Sequence, residues 1–368
     1  MKVPLQDLAR GYAEVRKEIE EAILGVSASG RYILGPEVEA FEEDLGNFLD
    51  APFVVSCASG TDAILLALAA LEIGDGDEVI TGPFSFFSTA ATIVRLGARP
   101  VFADLDEETL AASPSEIRGA ITPRTKAILP VHLYGQPAAM DEITAIAKEA
   151  GVAVVEDCAQ AIGATIGGAK IGAWGDIGCF SFYPTKNLGA MGDAGAVSTR
   201  DESIDRRIRM LRVHGSEDAI EHPIIGINSR LDSIQAAVLR IKLRHLDKWT
   251  EARRIIARFY DEALTGLPIR LPTRMEKAPS VYHQYTIRFD ARDDLKDHLE
   301  SLGIGSGVYY PLPLHLQPCF QELGHTPGDF PQAETAARQV LSLPIFPGLT
   351  QAEMEMVAEG VRSFFEKS

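Results

Sequence analysis

The sequence predicts an α/β protein, with a large domain on a mostly parallel sheet followed by a smaller α+β unit. Three observations predict it. Short apolar strand patterns alternate with helix patterns from Phe53 to Glu156. After Asp201 the alternation stops, and a basic helix and one long amphipathic stretch take its place. Polar or glycine-rich turns follow several of the strands, at the sheet edge where open α/β folds bind ligands. At 368 residues the chain has room for both units, and the boundary is placed near residue 245, giving 1–245 and 246–368.

Residues 4–50 read as two helices around a loop, with Pro36 near the start of the second and Val38, Phe41, Leu45 and Phe48 on its apolar face. Phe53–Cys57 reads as a strand, Thr61–Glu72 as a helix and Glu78–Thr81 as a strand. Ser88–Leu96 is helical, Pro100–Ala103 extended, Pro114–Ile121 helical and Thr125–Val131 a buried strand. Met140–Ala150 and Val152–Glu156 add a further helix and strand. Phe180–Phe182 ends another strand, and Ala194–Val197 returns as one. Ser203–Arg212 is a basic helix, and Asp232–Leu264 reads as one long helix with Ile234, Val238, Ile241 and Leu246 inward. The remainder predicts strands Tyr282–Phe289 and Gly305–Tyr310 and helices Leu295–Leu302 and Gln351–Phe365.

The charge balance, 52 acidic against 35 basic residues, argues against non-specific nucleic-acid or anionic-membrane binding. The first residues lack the apolar core of a signal peptide, and the longest apolar run, Ala63–Leu71, is far short of the ~20 residues of a membrane helix. Cys57, Cys158, Cys179 and Cys319 lack metal or disulfide spacing, consistent with a reducing cytoplasm. No metal site is predicted.

Chemistry concentrates in the turns. Phe180–Val197, FSFYPTKNLGAMGDAGAV, places Lys186 on proline- and glycine-broken backbone beside buried strands. Burial lowers an amine's pKa, which suits Schiff-base formation, although a lone lysine in a loop is ordinarily a solvated one. Ser59, Gly60 and Thr61 lie between a strand and a helix, where free N–H groups and hydroxyls suit a phosphate; Ser59 or Thr61 equally suits a plain helix cap. Phe84 and Phe86 follow a strand, placed either to stack on a flat heterocycle or to fill the core. Glu156, Asp157 and Gln160 lie in the segment that directly follows the strand VAVV; a buried aspartate there needs a cationic partner such as a protonated pyridine nitrogen. Asn228 and Arg230 in GINSRLD suit a phosphate or carboxylate, or a capped helix with a surface arginine. Tyr309, Tyr310 and His315 lie in a rigid polar-aromatic loop that lines a pocket or closes the small domain. In this order the motifs form the part list of a pyridoxal-phosphate enzyme.

The motifs ASGTDA, EDCAQA, SFYPTKNLGAMGDAGA and GINSRLDSIQAA, within a match running from GRYILGPEVEAFE to SLPIFPGLT, resemble the DegT/DnrJ/EryC1/StrS family of sugar aminotransferases. The resemblance implies the type I fold of pyridoxal-phosphate-dependent transferases, with a seven-stranded, mostly parallel sheet and a small α+β domain. It implies that Lys186 binds pyridoxal 5'-phosphate as a Schiff base and shuttles the proton, with pyridoxamine phosphate as the intermediate form. Asp157 would pair with the ring nitrogen and Gln160 lie near the ring hydroxyl. Phe86 would stack on the ring, while Ser59, Gly60, Thr61, Ser181 and the partner subunit's Asn228 hold the phosphate. Arg230, Tyr309, Tyr310 and His315 would meet the substrate. It further implies a homodimer with shared active sites, L-glutamate as donor and a UDP- or dTDP-linked keto sugar as acceptor. The runs GRYILGPEVEAFE, SVYHQYTIRF and YYPLPLHLQP look most like the 3-keto branch. A 4-keto enzyme and a non-catalytic, cofactor-binding regulator are the alternatives. Family members that remove a hydroxyl carry histidine at the Lys186 position, so the lysine argues for transamination.

Overall fold

The computed structural model describes residues 2–218 and 220–366. Helices α1 (Leu8–Ser29) and α2 (Pro36–Leu49) lead into the first strand. There follow β1 (Phe53–Cys57), α3 (Gly60–Ala70), β2 (Glu78–Thr81), α4 (Ser88–Arg95), β3 (Arg99–Phe102), α5 (Pro114–Ala120), β4 (Thr125–Leu129), α6 (Met140–Ala150) and β5 (Ala153–Asp157). A two-stranded hairpin, β6 (Thr165–Ile166) and β7 (Ala169–Lys170), precedes β8 (Ile177–Ser181), β9 (Gly195–Thr199) and α7 (Glu202–Leu211). The sheet has seven strands in the order β1-β9-β8-β5-β4-β2-β3. Only β9 runs against its neighbours, pairing antiparallel with β1 and β8. The crossovers therefore collect the ends of β1, β5 and β8, at Cys57, Asp157 and Ser181, on one edge.

Helix α3 is apolar almost all round, with Ala63 to Leu68 buried, because it lies between the sheet and neighbouring helices. On the opposite side, α5 and α6 place Ile117, Ile143 and Ala147 against Ile80 and Ile128. Arg209 of α7 and Arg212 at its C-cap reach across to Glu42 of α2, at 2.8 and 2.6 Å, and Glu42 also accepts from the Ser56 N–H. That buried network anchors β1 just before the turn that opens α3.

The predicted long helix 232–264 is two helices, α8 (Ser233–Leu243) and α9 (Leu246–Leu264). The halves serve different cores. Val238 and Ile241 of α8 pack on Val15 and Ile19 of α1, whereas Ile256 and Tyr260 of α9 join the C-terminal core. One straight axis cannot face both, and the turn falls at Arg244 and His245, where the His245 ring stacks on Trp249.

The C-terminal part contains β10 (Tyr285–Arg288), α10 (Arg292–Ser301), α11 (Pro331–Gln339), β11 (Val340–Leu343) and α12 (Gln351–Glu366). The second strand differs from expectation. Residues 305–310 form no strand; only Gly307 bridges to Ser342. The partner of β10 is β11, whose four residues are all buried, whereas 305–310 remain half-buried. A fully buried four-residue strand outcompetes the aromatic run because the pair must sit beneath α9, α10 and α12. Val3 is also buried in this core and bridges Ile304, so the chain's first residues pack with its last third. Among the described residues, no helix is long and apolar enough to cross a membrane.

Candidate active site

The strand ends set the site. Ser59 is the N-cap of α3, its hydroxyl accepting from the Asp62 N–H at 3.1 Å, so the cap reading holds for that residue. The N–H groups of Gly60 and Thr61 still point out of the helix end, which carries partial positive charge. A Cβ on Gly60 would lie 2.5 Å from that of Ser181, so glycine is what lets the turn lie against the end of β8. Thr61 is exposed, and its N–H and hydroxyl are open to a ligand.

Asp157, last in β5, is buried, and accepts from the Thr89 hydroxyl at 2.9 Å and the Ala159 N–H at 3.1 Å. Ser85 lies 2.9 Å beyond Thr89 in the same chain of hydroxyls. Among the described residues no cation stands within ion-pair distance of this carboxylate. Burial pushes its pKa up, opposed by the Ala159 and Thr89 hydrogen bonds and, at longer range, by Lys186.

Lys186 sits in the loop after β8, its N–H bonded to the Tyr183 carbonyl at 2.8 Å. Its half-buried side chain borders a cavity. Burial pulls its pKa down to about 8, and Asp157 only partly opposes the shift. Lys186 and Asp157 are thus opposite charges close enough to act on each other, and for both of them burial is the larger effect.

Gln160 ties the next wall together. Its carbonyl accepts from the Tyr134 N–H at 2.7 Å and its amide donates to the Tyr310 hydroxyl at 3.0 Å. Tyr134 in turn donates to the Tyr309 carbonyl. The Tyr310 ring packs edge-on to Phe84 at 6.1 Å and tilted against Phe86 at 6.3 Å. Phe84 is core; Phe86 is 54% exposed, a ring free to take another flat group.

The remaining predicted residues are placed differently. Asn228 is exposed and touches none of these groups. Arg230 is half-buried with its Nε buried and unpartnered. His315 is buried; its Nε2 lies 3.2 Å from Glu334 and its ring packs on Phe330, so its contacts are away from Lys186 and Asp157. Sequence reasoning missed Thr89, Tyr134 and Ser229. Ser229, fully buried, donates to Asp62 at 2.7 Å and accepts from the Ala58 N–H at 3.1 Å, holding the GINSRLD loop to the turn before α3. Two hydroxyls four residues apart in the SFFST run that leads into α4 (Ser85 and Thr89) were the available signal for one of them. His132, Glu156 and Cys158 also lie together, with ligand atoms within 4.8 Å. Glu156 is already filled by three backbone N–H groups and His132, and burial pushes the Cys158 thiol well up, so the trio suits structure better than a metal.

Residues 13–362 match the DegT/DnrJ/EryC1/StrS aminotransferase family. The chain belongs to that family. A "pleiotropic regulatory protein" of Geobacillus stearothermophilus is 46% identical over 99% of this chain and 99% of its own length. A UDP-N-acetyl-3-dehydro-alpha-D-glucosamine 3-aminotransferase of Acidithiobacillus ferrooxidans is 46% identical over 98% of this chain and 97% of its own. Among solved structures, S. venezuelae DesV in complex with a ketimine intermediate superposes with a TM-score of 0.98 at 45% identity, covering 100% of this chain and 99% of that one. This chain therefore shares its fold with S. venezuelae DesV from end to end.

Proposed function

We propose that this protein is a pyridoxal-phosphate-dependent aminotransferase that moves an amino group from L-glutamate to a keto sugar carried on UDP or dTDP, at the 3-keto position. The observation that carries it is the pair formed by a lysine of lowered pKa and a buried aspartate with no cation of its own. The cofactor fits these residues: a buried carboxylate lacking a cation suits a protonated ring nitrogen, and the glycine-permitted contact of Gly60 with Ser181 leaves a helix end open to a phosphate. When bound, pyridoxal phosphate supplies a carrier for the amino group and an electron sink for the carbon that exchanges its proton.

The chain's own groups do the rest. Asp157 would keep the ring nitrogen protonated. The N–H groups of Gly60 and Thr61, with the Ser59 and Ser181 hydroxyls, would hold the phosphate. Phe86 would cover one ring face and Gln160 would lie beside the ring hydroxyl. Burial brings Lys186 down to about 8, so its amine can both take and return a proton at the substrate carbon. Tyr309 and Tyr310 border the substrate side, and His315 supports that loop from behind through Glu334. Among the described residues Arg230 Nε has no hydrogen-bond partner and the exposed Asn228 side chain makes no hydrogen bond to the site, which supports a homodimer in which Asn228 of the partner subunit completes the phosphate cradle and Arg230 of the partner subunit meets the substrate. The UDP-sugar relative supports the 3-keto acceptor over a 4-keto one. The regulator-named relative keeps a second reading in view, and the intact Lys186, Asp157 and Gln160 favour catalysis.

The test is the absorbance spectrum of the purified protein before and after L-glutamate. A lysine-linked chromophore that shifts with glutamate and is missing in Lys186→Ala supports the reading. A protein that stays colourless after incubation with pyridoxal phosphate defeats it.

A further inference from the structure

His283, in the run SVYHQYTIRF ahead of β10, is 4% exposed and belongs neither to the pair of Lys186 and Asp157 nor to the wall built around Gln160. Its surroundings fix its chemistry. The Asn187 amide donates from Nδ2 to the Val281 carbonyl at 3.0 Å, and a carbonyl only accepts, so the amide nitrogen faces it. Asn187 Oδ1 is thereby turned to His283, 3.3 Å from Nδ1, and an amide oxygen also only accepts. The imidazole proton therefore sits on Nδ1. Two cations act on the ring, Lys186 and Arg253, and together with burial they push its pKa well down, so the ring is neutral and Nε2 is bare. A third positive charge in this place would repel the amine. A neutral N–H holds Asn187 without adding one.

The segment that carries His283 is itself firmly placed. The Val281 N–H donates to the Gly135 carbonyl at 3.0 Å and the Gln284 N–H to that of Tyr134 at 3.3 Å. Arg253 Nη1 donates to the carbonyls of Tyr282 and His283, at 3.1 and 3.4 Å. Glycine at 135 permits that approach, since a Cβ there would lie 2.8 Å from the His283 nitrogen. Tyr134 in turn gives its N–H to Gln160. Residues 281–284 thus hold both sides of the site, Gln160 through Tyr134 and the lysine loop through Asn187, which is 7% exposed and adjoins Lys186. We infer that His283 is a positioning residue for Lys186: its Nδ1–H and the Val281 carbonyl clamp the Asn187 amide, and the clamp sets where the lysine side chain starts relative to Asp157 and Gln160. A shift of ~1 Å at Asn187 would carry the amine out of line, and misplacement on that scale costs about 10²-fold in rate.

This inference rests on the aminotransferase reading, and the experiment separates the two. His283→Leu keeps an apolar bulk and loses the donor, whereas His283→Asn puts an amide N–H where Nδ1–H stood. In the holoenzyme, His283→Leu is expected to slow the glutamate-driven spectral change by roughly ten- to a hundredfold, with the half-saturating glutamate concentration within about threefold of wild type. His283→Asn should stay within about threefold on both counts. In the apoprotein, Lys186 is labelled with formaldehyde and a borane reductant across a pH range and read by peptide mass. The labelling midpoint is expected at about 8 in wild type and His283→Asn, and displaced towards the roughly 10.4 of a solvated lysine in His283→Leu. An unmoved midpoint in His283→Leu overturns the inference, as does a rate per folded molecule equal to wild type, whatever the melting temperature. It also fails if His283→Asn is as impaired as His283→Leu, because the donor is then not what matters. Should His283→Leu not fold, ring nitrogen chemical shifts of the wild-type apoprotein decide: a neutral His283 protonated on Nδ1 supports the clamp, and a proton on Nε2 or a charged ring at neutral pH defeats it. A wild-type protein that stays colourless with pyridoxal phosphate defeats the aminotransferase reading, while the apoprotein measurements still decide whether His283 places Lys186.

Discussion

Glu156 and Asp157 stand next to each other at the end of β5, yet they occupy opposite faces of the sheet and opposite chemical situations. On one face Glu156 is saturated. Its oxygens accept from the N–H groups of Gly172, Trp174 and Gly175 at 2.8 to 2.9 Å, and from His132 Nε2 at 3.1 Å. His132 Nδ1 accepts from the Ala138 N–H, so Nε2 carries the proton and the ring is a neutral donor. On the other face Asp157 has a hydroxyl and one N–H, no adjacent cation, and a pKa raised by burial. A filled carboxylate holds a loop in place; an unfilled one at the same depth is available for a ligand. The difference lies in the surroundings, since both are buried acids at a strand end.

Substitutions test that contrast, and the greatest effect is expected on the unfilled side. Asp157→Asn should lower turnover by about 10²–10³-fold, because the charge that favours a protonated ring nitrogen is gone. The melting temperature of the apoprotein should stay at or above the wild-type value, since without the cofactor a buried charge lacking a cation has been removed. A loss of turnover accompanied by unfolding would erase the distinction. Glu156→Gln should do the reverse. Its NH₂ would meet donors where an oxygen accepted, costing about 2–4 kcal/mol in denaturant unfolding, with turnover per folded molecule within about threefold of wild type. The smallest effect is in the pH dependence of the apoprotein. Lys186 has a folded pKa of about 8, below the roughly 10.4 of an unfolded lysine. Between those values the unfolded chain binds more protons, so this residue makes stability rise with pH. Lys186→Ala should flatten that rise, read as a difference from wild type because Lys242 contributes a slope of the same sign. An unchanged slope would mean that Lys186 is solvated like any surface lysine.

Much of the site was legible because its residues sit in turns whose neighbours are regular. The run from Phe53 to Glu156 alternates so clearly that it places Gly60 and Asp157 in turns at strand ends, and the stretch Phe180–Val197 places Lys186 in a glycine-broken loop between strands. Asn228, Arg230 and His315 were harder. Asn228 and Arg230 lie on a loop whose use depends on what faces it, and His315 is a histidine whose partner, Glu334, is nineteen positions on in a helix the sequence did not reveal. The pairings of Thr89 with Asp157 and Ser229 with Asp62 span 68 and 167 residues, and no local pattern marks them.

Taken alone, the sequence determined the fold class, the order of the motifs and the chemistry they are suited to, because hydrophobic period and turn residues act over a few positions. Tertiary structure decided which acid is spent and which is free, where the helix 232–264 breaks, and that Val340–Leu343 rather than 305–310 completes the small sheet. Each of these is settled by competition for burial and hydrogen bonds among segments far apart in the chain, and that competition exists only once they are packed together.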